Sequence, residues 1–198
     1  ENIKKIIDEN NKDTAILVSG DTGIYSAAQG IAEALLGYDV KVIPGISALS
    51  FFSSKINIPW QDWKIVSIHG RRANVTGYIR ENEYTFVYLS DGAEIKDICR
   101  KLELYGMGGI TVYAGERLSC PDERIGIFKA GEIEKAEFKG LCVALFKNEA
   151  PVRFYGEIPD SEFIRGKTPM TKAEIRTLSL SKLGLKKDSV LYDVGCGT

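Results

Sequence analysis

The stretch TAILVSGDTGIYSAAQGIAEALL, residues 14–36, decides the fold class of this chain. Its apolar and β-branched start, 14–19, predicts a strand, and the apolar spacing over 24–36 predicts a helix. Further strands are predicted from apolar runs at 40–43, 63–68, 84–90, 110–114 and 141–146, and a further helix over 94–106. Strands that alternate with helices indicate an α/β fold, with a largely parallel sheet.

Composition narrows the class of protein. The 198 residues are 44% hydrophobic and 27% charged, which is typical of a globular protein. With a net charge of −1, no global basic field favours nucleic acid, and no run approaches the ~20 apolar residues of a membrane span. The four cysteines form no C-x-x-C pair and there is one histidine, so we expect no metal site and a reduced, cytoplasmic protein.

Two glycine loops each lie between a predicted strand and a predicted helix. The first runs from Ser19 to Gly23 and contains Asp21; the second runs from Ile43 to Ala48 and contains Ser47. Glycines at a strand end let the backbone approach a ligand, and helix N-terminal amides face it. Asp21 and Ser47 are equally suited to capping a helix, so a ligand loop and a plain turn both stay open. Two such loops after consecutive strands would lie side by side.

Two more segments suggest chemistry. His69, Arg71 and Arg72 follow a predicted strand, and arginine forks match carboxylates; a solvated basic turn explains the same residues. The C-terminal run VLYDVGCGT places Asp193, Gly195 and Gly197 after an apolar strand. That spacing resembles the first motif of Rossmann-like methyltransferases that use S-adenosylmethionine (SAM). A helix before it is predicted to begin at a capping box of Thr171 and Glu174 and to end at Gly184.

Together these residues resemble the tetrapyrrole methylase family. VSGDTGIYSAAQ (18–29) is similar to its glycine-aspartate-proline loop, with Thr22 in place of the proline, and VIPGISALS (42–50) to its proline-glycine-hydroxyl loop. SIHGRR (67–72), YLSDG (88–92) and AGERLSCPDERI (114–125) resemble the branch that methylates carbon 5 of corrin precursors. The segment 166–198 resembles the start of the decarboxylating carbon-15 methyltransferase that is often fused behind it.

The resemblance implies a two-domain fold with SAM in the cleft between the domains. We expect a first α/β domain at 1–62, a second at 63–150, a linker at 151–170 and the beginning of a Rossmann-like methyltransferase at 171–198. The family's opening strand and G-x-G-x-G loop are not within this sequence, so we expect a partial chain. The resemblance places SAM at these residues: Gly20, Asp21, Ile24, Ser47, Ala48, Leu89, Gly115 and Leu141, with Asp193, Gly195 and Gly197 for the second module.

The resemblance also implies the reaction and the partners. His69, Arg71 and Arg72 are candidates for the substrate's carboxylates in a cobalamin-biosynthesis methyltransferase, which we expect to be a homodimer. The chemistry requires no covalent catalytic residue, because SAM is already activated. A substrate with or without cobalt stays open. So do two alternatives: methylation of RNA or protein by another branch of the fold, and a non-catalytic, self-associating fragment.

Overall fold

The structure is a computed structural model that describes residues 2–10, 13–152, 158–163, 166, 169–185 and 189–195. These residues divide into two compact units, Glu1–Val152 and Arg153–Thr198. The helices are α1 (Asn2–Asn10), α2 (Ala28–Ala34), α3 (Ala48–Ile56), α4 (Val75–Glu81), α5 (Gly92–Leu104) and α6 (Ala173–Leu183), with 3₁₀ turns at Ala130–Lys135 and Asp160–Glu162. The strands are β1 (Lys64–Ser67), β2 (Tyr84–Tyr88), β3 (Thr111–Glu116), β4 (Arg124–Lys129) and β5 (Cys142–Lys147).

The five strands form one mixed sheet in the order β1-β2-β5-β3-β4. Only β1 and β2 run parallel within it; the other three neighbouring pairs are antiparallel. The α/β class is confirmed, but the expected largely parallel sheet is wrong. The change of direction begins at β3 and β4, which form a hairpin. The charges and glycines of segment 116–140 predict a hairpin or short irregular strands, and the structure has the hairpin.

Both faces of the sheet are buried, because the central strands alternate their side chains between two cores. In β5, Ala144 and Phe146 face the side covered by α4 and α5, whereas Val143 and Leu145 face the side covered by α3. Trp63 stacks on Phe86 of β2 on the α3 side, with ring centroids 5.6 Å apart. Cys142 lies in the apolar run LCVALF (141–146), which predicts a buried small side chain. It is indeed buried among the α4–α5 core residues.

The segment before α3 departs most from expectation. Residues 14–19 and 40–43 form no strand, and Leu17 is 94% exposed. A strand needs a neighbour for its backbone groups, and the sheet begins only at Lys64. The helix predicted over 24–36 is shorter, starting at Ala28, because Tyr25 adopts a left-handed conformation with φ 48°.

The second unit contains one regular α-helix within its described residues. Helix α6 ends at Gly184 with φ 58°, as predicted. It begins after Lys172 with no side-chain cap, so the capping box of Thr171 and Glu174 is wrong. Residues 189–193 are not a strand; Gly195 lies in a turn with φ 89°. No described helix is long and apolar enough to cross a membrane.

A buried carboxylate holds the β3–β4 hairpin against the segment before β5. Glu116 is 2% exposed and accepts hydrogen bonds from Arg124 and from the Lys139 amide, and Arg124 also donates to the Glu137 carbonyl at 2.8 Å. Burial alone would raise the pKa of Glu116, but these donors outweigh it and lower the pKa below its ordinary value.

Replacing Glu116 with Gln keeps the shape and removes the charge. We expect the free energy of unfolding at neutral pH to fall by about 1.5–3 kcal/mol, the range for hydrogen bonds to charged groups. Because the folded pKa is lowered, the ionised carboxylate stabilises the fold above its unfolded pKa near 4.5, and this contribution disappears as pH falls through the folded pKa. Urea titrations of both proteins across this range should show a difference that shrinks in acid.

The matched control is Glu132→Gln. Glu132 is an exposed glutamate of the 3₁₀ turn that follows β4, and its replacement should leave the free energy of unfolding unchanged. A deficit of Glu116→Gln that is the same at pH 3 and pH 7 would contradict the assignment.

Candidate functional site

The two glycine loops come together, as their positions predicted. Gly20 has φ 74°, a left-handed conformation that favours glycine. A Cβ added to Gly45 would lie 2.4 Å from the Gly20 carbonyl oxygen, so this approach of two backbones requires glycine at 45. The loops therefore form one surface.

Asp21 shapes the first loop from within. Its Oδ1 accepts a hydrogen bond from the Gly23 amide at 2.6 Å, and the Ile24 amide reaches the Asp21 carbonyl at 3.4 Å. Ile24 packs against the core on the α3 side. This turn occupies one carboxylate oxygen of Asp21. The other has no hydrogen-bond partner among the described residues and could accept from a hydroxyl or a cationic group.

The second loop ends at the start of α3. Ser47 is buried and is the N-cap: its Oγ accepts a hydrogen bond from the Ser50 amide at 3.0 Å and lies 2.8 Å from the Ser50 hydroxyl. Ala48 begins the helix and packs against the α3-side core. The capping role that the sequence allowed for Ser47 is thus present, at the point where the two loops meet.

Beneath this helix start lies the hydroxyl of Tyr88, the last residue of β2. The oxygen is fully buried and makes no hydrogen bond of standard geometry with the residues described. Burial raises the pKa of Tyr88 to about 12, although the nearby Leu49 amide and Ser47 hydroxyl favour the anion. Tyr88 is therefore a neutral hydroxyl, able to donate, at the junction of both loops and the sheet.

Residues 69–72, which follow β1 and are called the basic segment here, face the same junction. His69 Nδ1 lies 3.2 Å from the Ser90 hydroxyl, just beyond β2. The Arg71 guanidinium lies over the Tyr25 ring, 5.4 Å from its centroid, and that ring meets Tyr88 edge-on at 5.5 Å. One chain of contacts thus joins the first glycine loop, β2 and the basic segment.

Arg71 and Arg72 also line a groove of about 790 Å³ between residues 68–76 and α5. Its carboxylates have partners within the chain. Asp91 accepts from the Ala93 and Glu94 amides, Glu94 accepts from the Ser90 amide at 2.6 Å, and Asp97 pairs with Lys101 at 2.7 Å. Among the residues described, Arg71 and Arg72 have no carboxylate partner, so the groove keeps two unpaired cations.

The remaining first-module candidates are close in the sheet, but their side chains diverge. The Leu89 amide donates to the Cys142 carbonyl, and Gly115 pairs with Val143, which places Leu89, Gly115 and Leu141 at one sheet edge. The Leu89 side chain is buried on the α4–α5 side, away from the loops, and that of Leu141 is 61% exposed. A Cβ on Gly115 would lie 2.6 Å from the Phe52 ring, so packing of α3 accounts for this glycine.

The tail candidates belong to the second unit. Asp193 and Gly195 are exposed, next to Val194, which is 96% exposed. Gly197 lies outside the described residues. The turn at Gly195 fits a glycine loop.

Tyr25, Tyr88 and Ser90 complete the network and were not among the predicted residues. An aromatic residue at the end of a strand is most simply interpreted as a core residue, so the sequence alone does not mark Tyr88 as a site residue. A signal for Tyr25 does exist, because it lies only two residues beyond the first glycine loop.

Comparisons with known proteins identify the family. The sequence model of Tetrapyrrole (Corrin/Porphyrin) Methylases matches residues 1–134, so the chain belongs to this family. A precorrin-6Y C(5,15)-methyltransferase [decarboxylating] of Sinorhizobium is 24% identical over 99% of this chain and 49% of its own length. A probable cobalt-precorrin-7 C(5)-methyltransferase of Methanocaldococcus jannaschii is 26% identical over 77% of this chain and 70% of its own length.

A short segment of the chain matches a further relative, and two solved structures share its fold. A probable cobalt-precorrin-6B C(15)-methyltransferase of Pyrobaculum aerophilum is 69% identical over 42 residues, 21% of each chain. The chain thus matches 49% of the length of the Sinorhizobium relative and 21% of the length of the Pyrobaculum relative. The fold is shared with a cobalt precorrin-4 methyltransferase (TM-score 0.61, 16% identity, 74% of this chain and 70% of that one). It is also shared with the Thermus thermophilus uroporphyrin-III C-methyl transferase complexed with S-adenyl homocysteine (0.52, 20%, 65% and 62%).

The contact between the loops is open to a direct test. In Gly45→Ala the new methyl group meets a backbone oxygen, so the loops must separate, and we expect a loss of about 1–3 kcal/mol in the free energy of unfolding. Gly30→Ala is the matched control, because a Cβ there has open space and alanine favours the helix by about 1 kcal/mol. Chemical denaturation should give opposite signs for the two variants; equal effects would contradict the close approach.

Proposed function

We propose that this chain is part of a SAM-dependent C-methyltransferase that acts at carbon 5 of a corrin precursor in cobalamin biosynthesis. The observation that carries the proposal is the meeting of the two glycine loops over the start of α3, inside the segment that matches the family. The relatives named for carbon-5 methylation of precorrins support the choice of substrate.

The loop junction fits SAM chemically. SAM brings a sulfonium, an amino group, a carboxylate and ribose hydroxyls, and supplies an already activated methyl group. Among the described residues, one carboxylate oxygen of Asp21 has no partner and could accept from a hydroxyl or a cation. Gly20 adds no side chain to the loop surface, and Gly45 lets the two loops meet. The Ser47 and Tyr88 hydroxyls add polar groups at the same place. The same fold with S-adenyl homocysteine in the Thermus relative is consistent with this assignment.

The basic segment is proposed to bind the substrate. Corrin precursors carry several carboxylates, and a guanidinium holds a carboxylate through two parallel hydrogen bonds. Arg72 lines the groove without an acidic partner in the described structure, so it can bind a carboxylate without breaking an existing ion pair. His69, fixed near Ser90, adds a polar group at the groove's edge.

In this proposal the protein acts by holding and orienting its ligands. Asp21 orients the cofactor and Arg72 a substrate carboxylate. Fixing two reactants in a near-attack geometry can lower a barrier by roughly 7–11 kcal/mol. No side chain has to form a covalent bond, because the activated methyl group and an electron-rich ring carbon already provide the reacting atoms.

The proposal extends to the whole protein. The 42-residue match to a carbon-15 methyltransferase supports a second, fused activity with its own SAM loop at Asp193, Gly195 and Gly197. We further propose a cytoplasmic homodimer.

The cofactor assignment is tested at Asp21. Asp21→Ala should weaken binding of S-adenosylhomocysteine (SAH) by at least about 1.5 kcal/mol, the lower value for a charged hydrogen bond. Asp21→Asn keeps an acceptor for the Gly23 amide, so it separates loss of charge from loss of the turn. Isothermal calorimetry measures all three proteins, with Asp39→Ala as the control at an exposed aspartate. Unchanged affinity in folded Asp21→Ala would refute the assignment.

The substrate assignment is tested at Arg72. Arg72→Gln should raise the dissociation constant of a corrin precursor about tenfold, which corresponds to one lost charge-assisted hydrogen bond, and leave SAH affinity unchanged. Absorbance titration measures the dissociation constant of the tetrapyrrole, and calorimetry measures the affinity for SAH. The control is Arg80→Gln, an exposed arginine of α4. Parallel weakening of both ligands would show that Arg72 acts on the structure.

A further inference from the structure

Tyr25 has an unusual backbone conformation. Its φ of 48° lies in the left-handed region, which is uncommon for an aromatic residue. Such a conformation is strained and persists only when its surroundings enforce it. The first glycine loop ends at Gly23, and Tyr25 comes two residues later, so contacts that hold Tyr25 also restrain that loop.

Two contacts hold the Tyr25 ring in place. Its edge-to-face contact with Tyr88 joins it to the buried end of β2, and the Arg71 guanidinium lies over it. Tyr25 is nevertheless 50% exposed, so hydrophobic burial alone does not fix its ring. The Tyr88 contact is set by the sheet, whereas the Arg71 contact comes from an exposed segment and can change.

Arg71 takes part in both halves of the proposed site. It lines the groove and lies on the ring that ends the glycine loop. The two contacts are compatible, because a guanidinium donates hydrogen bonds in its plane while its face stays on an aromatic ring.

We propose that Tyr25 is a positioning residue for the SAM loop and that Arg71, acting through the Tyr25 ring, connects the carboxylate groove to that loop. This inference rests on the proposed function, because it takes the first glycine loop as the cofactor site. Arg71 and Arg72, adjacent in sequence, then have different roles. Arg72 binds carboxylate alone, whereas Arg71 also controls cofactor affinity without touching the cofactor.

The first test measures SAH affinity by calorimetry. Arg71→Met removes the cation and keeps the aliphatic stem, and we expect binding to weaken two- to fivefold, the effect of one partly exposed cation–π contact. Arg71→Lys keeps a cation over the ring and should stay within twofold of the wild type. Arg80→Met is the control at an exposed arginine outside the site and should bind normally.

Variants of Tyr25 make the test specific. Tyr25→Phe keeps the ring and should bind SAH normally, whereas Tyr25→Leu should weaken binding at least as much as Arg71→Met. The double variant Tyr25→Leu/Arg71→Met should be no weaker than Tyr25→Leu, because both changes remove the same contact. The proposal would be overturned if the affinity losses of the two single variants added in the double variant. It would also be overturned if Arg71→Lys bound SAH as weakly as Arg71→Met.

A second measurement needs no ligand. Hydrogen exchange of the Gly23 amide, which donates to Asp21, should be two- to fivefold faster in Arg71→Met and unchanged in Arg80→Met. If the wild type does not bind SAH, the proposed cofactor role fails, and exchange alone then decides whether Arg71 holds the loop. If the wild type binds SAH but Arg71→Met matches it in affinity and in exchange, the inference is wrong and the proposed function stands.

Discussion

Burial of the sheet on both of its faces is the constraint on which the rest of the first unit depends. Because β2 and β5 alternate their side chains between two cores, α3 must cover one face and α4 with α5 the other. Helix α3 brings both glycine loops with it, and its first turn lies over the end of β2. The proposed site therefore lies at the rim of the sheet, with the loop junction on the α3 side and the groove on the α4–α5 side. Arg71 follows β1 at this rim, and its side chain therefore reaches both the loop junction and the groove.

Local features of this architecture could be predicted from sequence, because they depend on neighbouring residues. The hairpin of β3 and β4, the burial of Cys142 and the stop of α6 at Gly184 all follow from nearby composition. The meeting of the two glycine loops was predicted from their equivalent places in the chain. The family resemblance, carried by loop motifs, is confirmed by the match over residues 1–134.

The parts that sequence did not predict depend on distant partners. Apolar runs at 14–19 and 40–43 resemble strands, but hydrophobicity does not say whether a pairing partner exists, and none is described. Strand direction is likewise set by pairing, so the antiparallel β5 was not foreseen. Leu89 shows the same limit for the site. Its position in a motif was informative, whereas its side chain follows the alternation of β2 into the opposite core.

The tight fit of Gly115 beneath Phe52 has a consequence for how related sequences can diverge. A methyl group at position 115 would enter the space that the Phe52 ring occupies, so neither residue can change size freely while the other stays fixed. The two positions, 63 residues apart, should therefore co-vary. Sequences with alanine or serine at 115 should carry a smaller residue at 52, and those that retain the phenylalanine should retain the glycine.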